Sequence, residues 1–453
     1  MSQSSLLLCR HLHRQTTTTS SFPSAKTLGS LRSSRSKSTV VVAWGAYLAR
    51  FAETRANTTR SFSWPAESIQ PEAHALLAPT RLSLDRLAAS DALANNSRIS
   101  AMGAGVRHAL IAFNSSENPY KTQLFGIGLN RCQQLGRAAT DTDTTIEPVV
   151  TYVDGKLSQI ACGREHSALL VERLDGSTHV AVCGSNAFGQ IGLRTTSRCA
   201  VDPPKLPTFE MSDLTPLANL MAPGESPVKV QCGLDHTVVL TSIGRAFAMG
   251  WGADGQLGAG PKSTTGDGQP VLVSGLKGAP LTNISSSTDF TLALTADNRL
   301  YYWGNAEYGQ CMTGAKIDQV LNPIHVPFDF GTIKDIAAGG CHALVLTDDG
   351  RVYSCGYGAL GLGPGTIAAL QSTHIKGLRD IVAIFASTDR CLAIDSQHRV
   401  YSWGLGNAAG RLGNGTVGKN ALEPQLLDTC PLAIDSSMLA LGNDMALMTA
   451  IDI

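Results

Sequence analysis

A short glycine-anchored phrase that returns seven times constrains this chain more than any other feature. Its clearest copy is MGWGADGQLG, Met249 to Gly258, and versions stand at Cys183 (CGSNAFGQIG), Phe125 (FGIGLNRCQQLG) and Trp303 (WGNAEYGQCM). Looser copies begin at Cys355 (CGYGALGLG), Trp403 (WGLGNAAGRLG) and Trp44. The anchoring glycines are Gly45, Gly126, Gly184, Gly250, Gly304, Gly356 and Gly404, and after the first gap they are spaced by 48 to 66 residues. A period of that size signals stacked or radial units, each of which buries its apolar face against its neighbours. It overrides the prior that 453 residues would split into about three domains.

A second signature accompanies each anchor. It reads CGREHSALLV from Cys162, CGLDHTVVLT from Cys232 and GGCHALVLT from Gly339, with weaker copies around His108, Phe290, Arg390 and Met445. Between the two signatures lie polar turns such as Asp348-Asp349-Gly350 and Asp175-Gly176, a strong hairpin signal between apolar runs. The unit is therefore a strand such as His342 to Thr347, a turn, and a strand such as Arg351 to Cys355. A Gly-rich loop and a Pro-marked outer strand follow. Three or four short strands repeated seven times predict an all-β chain, a seven-bladed β-propeller. The chain opens with a lone second strand, Thr39 to Gly45, and ends with a lone first strand, Ser437 to Ala450. Pairing them would close the ring and hide two sheet edges. The propeller is expected over 39–453, with insertions at 46–96 and 194–227, where long loops on a rigid scaffold tend to carry binding.

Charge divides the chain unevenly. Basic and acidic residues balance at 36 each, yet Met1 to Ala52 holds no Asp or Glu and carries Arg10, Arg14, Lys26, Arg32, Arg35, Lys37 and Arg50 among many Ser and Thr. That is the composition of an organellar transit peptide, expected here as a disordered leader at 1–38. Without residues 1–39 the body has 30 basic against 36 acidic residues, a formal charge of −6, and no general affinity for phosphate backbones. Direct DNA binding is not expected. The 11 cysteines include no C-x-x-C pair, so no zinc ribbon or dithiol site is spelled out. No apolar run reaches the ~20 residues needed to span a bilayer.

The repeats themselves nominate few chemical groups. His108, His166, His236 and His342 recur in register, but equivalent positions of different blades spread around a ring, whereas zinc requires its ligands within ~2 Å of the ion. They read as side chains that bond backbone where blades meet. Gly184, Gly250, Gly304, Gly356 and Gly404, with Gln190, Gln256 and Gln310, resemble a phosphate-cradling string, but here the string joins strand to strand instead of strand to helix, so turn geometry explains it. Trp44, Trp251, Trp303 and Trp403 are expected at or beside an inner-strand layer. No catalytic set, metal site or cofactor is expected. The informative set is the residue before each histidine position, acidic in five of seven units: Glu165, Asp235, Asp289, Asp389 and Asp444, against Arg107 and Cys341. Each alone reads as a turn-capping carboxylate; together they read as an acidic rim for partner contact.

The paired signatures resemble the repeats of the regulator of chromosome condensation (RCC) family over about Thr39 to Ile453. Members of that family are seven-bladed propellers, and the type member is a nucleotide exchange factor for the small GTPase Ran. MGWGADGQ, WGNAEY from Trp303 and CGYGALGLGP from Cys355 resemble mitochondrial RCC-like members more closely. The resemblance implies a non-enzymatic exchange factor for the dynamin-related fusion GTPase of the inner membrane, with support of mitochondrial ribosome biogenesis. The alternative it leaves is a scaffold for mitoribosome or respiratory-complex assembly. The implied place is the matrix or the matrix face of the inner membrane, with peripheral association. Ultraviolet-sensing members carry Gly-Trp-Arg-His-Thr strings, and this chain has none.

Overall fold

The computed structural model describes residues 39–45, 76–82, 97–115, 117–136, 144–193, 205–210, 215–261, 268–277, 280–428 and 432–452. Residues 38–453 form one unit, whereas the expected leader at 1–38 lies outside the described residues, as do 46–75, 83–96, 194–204 and 211–214 of the two expected insertions.

Blade 5 shows how the sequence sets the repeat. Its strands are Ile333–Ala338, His342–Thr347, Val352–Tyr357 and Ala368–His374, each antiparallel to the next. The second strand, HALVLT, is buried at every position, because the neighbouring blades cover both of its faces. The fourth, AALQSTH, is largely exposed and closes the outer edge. Gly350, at φ 78°, makes the turn that sequence alone had placed there.

Among the described residues the same four-stranded sheet is built seven times. Blades 1 to 6 occupy residues 97–154, 156–210, 227–272, 281–326, 333–374 and 381–426. The first strands of all the blades line a central channel of about 450 Å³. This corrects the expected layering: the Trp and glycine register lies on the third strand from the axis, not on the inner one. The two expected insertions are also partly regular structure, since Leu76–Leu82 and Lys205–Glu210 serve as outer strands of blades 7 and 2.

Blade 7 is assembled from both ends of the chain. Thr39–Gly45 pairs with Met445–Asp452 in unbroken register, from Thr39 opposite Ile451 to Gly45 opposite Met445. The expected single strand from Ser437 to Ala450 is instead a hairpin, Leu432–Leu441 and Met445–Asp452, because Gly442-Asn443-Asp444 makes the same turn that precedes the histidine position elsewhere. Each end of the chain thus supplies two strands to the closing sheet.

Side chains then join blade to blade. Trp44, Trp303 and Trp403 are fully buried, and their indole N–H groups donate to the carbonyls of Arg411, Gln256 and Ala359 in the preceding blade. Cys183 and Cys355 occupy that register in blades 2 and 5, with Sγ 3.4 Å from the Gln134 carbonyl and 3.0 Å from the Gly309 carbonyl. In blade 3 the register is filled by buried Met249, so Trp251, two residues on, reaches the surface.

The histidines form a second ring of joints, and their partners differ from expectation. His108 Nε2 meets Ser167 Oγ at 2.9 Å, His166 meets Thr237 at 3.0 Å, His236 meets Ser286 at 2.9 Å and His342 meets Cys391 Sγ at 2.9 Å. The partner is a side chain of the next blade, not backbone. Blade 6 places Arg390 in this position. It is fully buried and its guanidinium donates to the carbonyls of Gly442, Met445 and Arg411, tying blade 6 to the closing blade.

Candidate functional site

The two repeat signatures meet physically at one face of the ring. Gly250, at φ 109°, lies so close to the second strand that a Cβ there would stand 2.4 Å from the carbonyl oxygen of Asp235. The next N–H, of Trp251, donates to that same carbonyl at 2.8 Å. Gly184, Gly304, Gly356 and Gly404 repeat the contact against Glu165, Asp289, Cys341 and Asp389. In blade 1 the residue in this role is Gly128, which packs on Arg107, so the true anchor lies two residues beyond the expected Gly126. The glycine loop and the rim residue are one structure. That structure fixes the backbone from which each rim side chain projects. The loops are turns, as expected: Gln190, Gln256 and Gln310 are buried and each accepts a bond from the N–H two residues earlier.

The rim side chains share this face but not one environment. Four of the five are paired with arginines that stand at variable positions of the repeat signatures. Arg131 bonds Glu165, Arg164 holds Asp235 at 2.7 Å, and Arg411 contacts Asp389 at 2.9 Å and Asp444 at 3.7 Å. Asp444 also accepts from Asn407. Asp289 differs: its hydrogen-bond partner is Gln256, whose Nε2 donates to it at 3.3 Å and to Asp254 at 3.1 Å. Burial raises the Asp289 pKa, and the charge of Asp254 adds to the rise. Asp235 is 8% exposed; burial pushes it up to about 6 against the pull of Arg164, with Asp289 and Glu165 adding to the rise. Cys341, which fills the rim position of blade 5, is pushed up to about 11 by burial and by the charges of Asp389, Asp289 and Glu307. These mutual influences mark a continuous belt of turns, and no rim carboxylate caps its own turn in the way a lone reading of each would have it.

Four aromatic residues stand on the same face; of these the sequence points only to Trp251, and to a packing layer instead of the surface it occupies. Phe188, Trp251, Tyr308 and Tyr357 are exposed, one on each of blades 2 to 5. Their signal in the sequence is faint: each sits one or four residues past its anchoring glycine, where the motif sets no residue type. Elsewhere the channel carries a polar strut, Lys229 Nζ to Asn283 Oδ1 at 2.6 Å and Asn283 Nδ2 to Asp335 at 3.0 Å, across blades 3 to 5. Among the described residues, no three His, Cys, Asp or Glu side chains are grouped to hold a metal, and no helix is long and apolar enough to cross a membrane.

A closed ring of seven four-stranded blades, with histidine turns locked under glycine-anchored loops, defines a seven-bladed β-propeller. The chain belongs to the RCC1-like domain family, whose model matches residues 85–448. It is 31% identical over 377 residues to the mouse RCC1-like G exchanging factor-like protein, covering 78% of this chain and 75% of that one. The human protein of the same name is 30% identical over 382 residues, with 79% and 74% covered. Among solved structures, the crystal structure of human WBSCR16 is similar at a TM-score of 0.74 and 26% identity, covering 91% of this chain and 99% of that one.

Proposed function

We propose that this chain is a guanine nucleotide exchange factor whose histidine-turn rim engages a GTPase in mitochondria. The observation that carries the reading is the buried, arginine-poised Asp235 beside Asp289, two carboxylates held on rigid turns at one face. The names of the mouse and human relatives support an exchange activity, and the acid-free basic leader supports mitochondrial import. The finer target is the dynamin-related fusion GTPase of the inner membrane, with support of mitochondrial ribosome biogenesis as a second consequence of the same placement.

Exchange requires no covalent step. A bound nucleoside diphosphate is held by a lysine and Mg²⁺ on the GTPase, and an exchange factor lowers the barrier to release by favouring the nucleotide-free state. Carboxylates offered by the rim compete for that lysine or disturb the Mg²⁺. Burial raises the proton affinity of Asp235 and Asp289, and a partner cation brought against them relieves the same desolvation cost.

The test is release of a fluorescent GDP analogue from the fusion GTPase. The wild-type protein accelerates it, and the Asp235→Asn/Asp289→Asn double variant loses the acceleration while melting as before. Unaltered release in the double variant removes the rim from the mechanism. Proximity labelling that recovers ribosomal or respiratory-assembly proteins and no GTPase replaces exchange by the scaffold reading.

A further inference from the structure

The geometry points to a docking arc on blades 2 to 5 of the rim face that takes a partner protein through its arginine and lysine side chains. The inference rests on the reading of this face as the partner face, and adds the sector and the chemistry of what docks there.

The arc consists of Phe188, Trp251, Tyr308 and Tyr357, which are 36%, 37%, 43% and 46% exposed. They are organised in pairs across blade boundaries. Phe188 meets Trp251 edge-on at 5.1 Å between ring centroids, joining blades 2 and 3, and Tyr308 lies 5.9 Å from Tyr357, joining blades 4 and 5. Their backbones are held from beneath. Phe188 and Tyr308 N–H groups donate to buried Gln190 and Gln310, and Trp251 and Tyr357 N–H groups donate to the rim carbonyls of Asp235 and Cys341. Exposed aromatics on so fixed a frame lose little conformational freedom when a partner arrives, which is the property of residues that dominate interface energies.

Charge decides the partner. From Asp235 to Cys341 the described turns of this face carry Asp235, Asp254, Asp289, Glu307 and Asp318 against Lys316. Gln256 draws Asp254 and Asp289 together, so their like charges reinforce one another. Within the arc Arg131 and Arg164 already answer Glu165 and Asp235, and across the ring Arg411 answers Asp389 and Asp444, whereas no salt bridge among the described residues reaches Asp254, Asp289 or Glu307. An incoming guanidinium stacks on a Trp or Tyr face and bonds a carboxylate at its edge at the same time, and an ammonium does so less specifically. Single-stranded RNA also stacks on exposed aromatics, but its phosphates would meet these carboxylates with repulsion.

Fluorescence anisotropy on the full chain tests this with three labelled probes: an oligoarginine peptide, an oligoglutamate peptide of equal length, and oligouridylate. The arginine peptide binds, and the other two do not. Trp251→Ala/Tyr308→Ala weakens binding by about tenfold or more, and so does Asp254→Asn/Glu307→Gln. Leu174→Ala/Phe330→Ala, exposed residues on the opposite face, leaves it unchanged. Equal melting temperatures exclude misfolding, since every altered side chain is wholly or partly exposed. No binding of the arginine peptide, binding that survives loss of Trp251 and Tyr308, or preference for oligouridylate overturns the inference. The titration uses no GTPase and no nucleotide, so loss of the exchange reading in the release assay leaves this result standing or falling by itself.

Discussion

Acid should open this ring, and the buried histidines set the scale. Burial holds His108, His236 and His342 down at about 4 and His166 at about 3, against ~6.5 in an unfolded chain. The folded pKa lies below the unfolded one, so the unfolded chain takes up protons first as the pH falls. The stability these groups contribute is complete above about pH 6.5 and drains away below it. At about pH 5 the unfolded imidazole is almost fully charged and the folded one almost fully neutral, a loss of ~2 kcal/mol per histidine and ~8 kcal/mol for the four. Asp235 opposes this. Its folded pKa of about 6 lies above the unfolded value, so the folded state binds that proton first and recovers ~1.4 kcal/mol at the same pH. Burial of Asp289 and Asp335 acts in the same direction as burial of Asp235. The net loss is therefore ~7 kcal/mol at most, within the range of a typical domain's whole stability. Urea titrations followed by circular dichroism at about pH 7.5 and pH 5 measure it. The decisive variant is His236→Phe. Blade 4 already carries Phe290 in this position, stacked on Tyr302 at 5.2 Å, and without the imidazole Ser286 keeps its bonds to the Phe290 carbonyl and to Thr291. The variant should lose ~2 kcal/mol less than the parent between the two pH values. A pH dependence identical to the parent's refutes the argument that buried imidazoles drive it.

Two further outcomes follow from the closing blade. Deleting the last 15 residues removes Met445–Asp452, the partner of Thr39–Gly45, and should abolish the cooperative melting transition of the whole propeller; an unchanged transition would show that the ring does not depend on its joint. Arg390→Lys replaces a fork that reaches the Gly442, Met445 and Arg411 carbonyls by a single ammonium, and should cost ~2–4 kcal/mol in chemical denaturation, with a loss below ~0.5 kcal/mol counting against the latch.

The ring was legible because its joints are repeated. Each glycine that must lie against a rim carbonyl, each histidine that must reach the next blade, and each Gln that closes its turn had to recur with the blade, so the sequence displayed them as a period. The innermost strand was not legible in the same way. Leu281–Ser287, LTNISSS, faces the channel with polar residues and carries little of the apolar alternation that marks its neighbours, so the pattern points to the glycine-bearing strand as the inner one. In blade 1 the phrase FGIG offers glycines two residues apart, which project to the same face of a strand, and position alone did not decide between Gly126 and Gly128. The rim's five carboxylates were visible; their partners were not. Arg131 and Arg411 come from loop positions that the repeat leaves free, and Phe188, Trp251, Tyr308 and Tyr357 do likewise. What distinguishes one propeller from another is written at those unrepeated positions, and only the fold shows which of them share a face.

The register of blade 7 also governs how the chain is made. Thr39 waits for Ile451, roughly 400 residues later in synthesis. Until the last strands emerge, the first six blades form an open arc and Thr39–Gly45 lacks its partner, an unpaired edge of the kind that recruits strands from other chains. A chain that crosses a membrane amino end first would meet the same delay on the far side. The joint that makes the finished ring hard to open therefore makes its assembly late, and places the hazard of misassociation in the interval before the carboxyl end arrives.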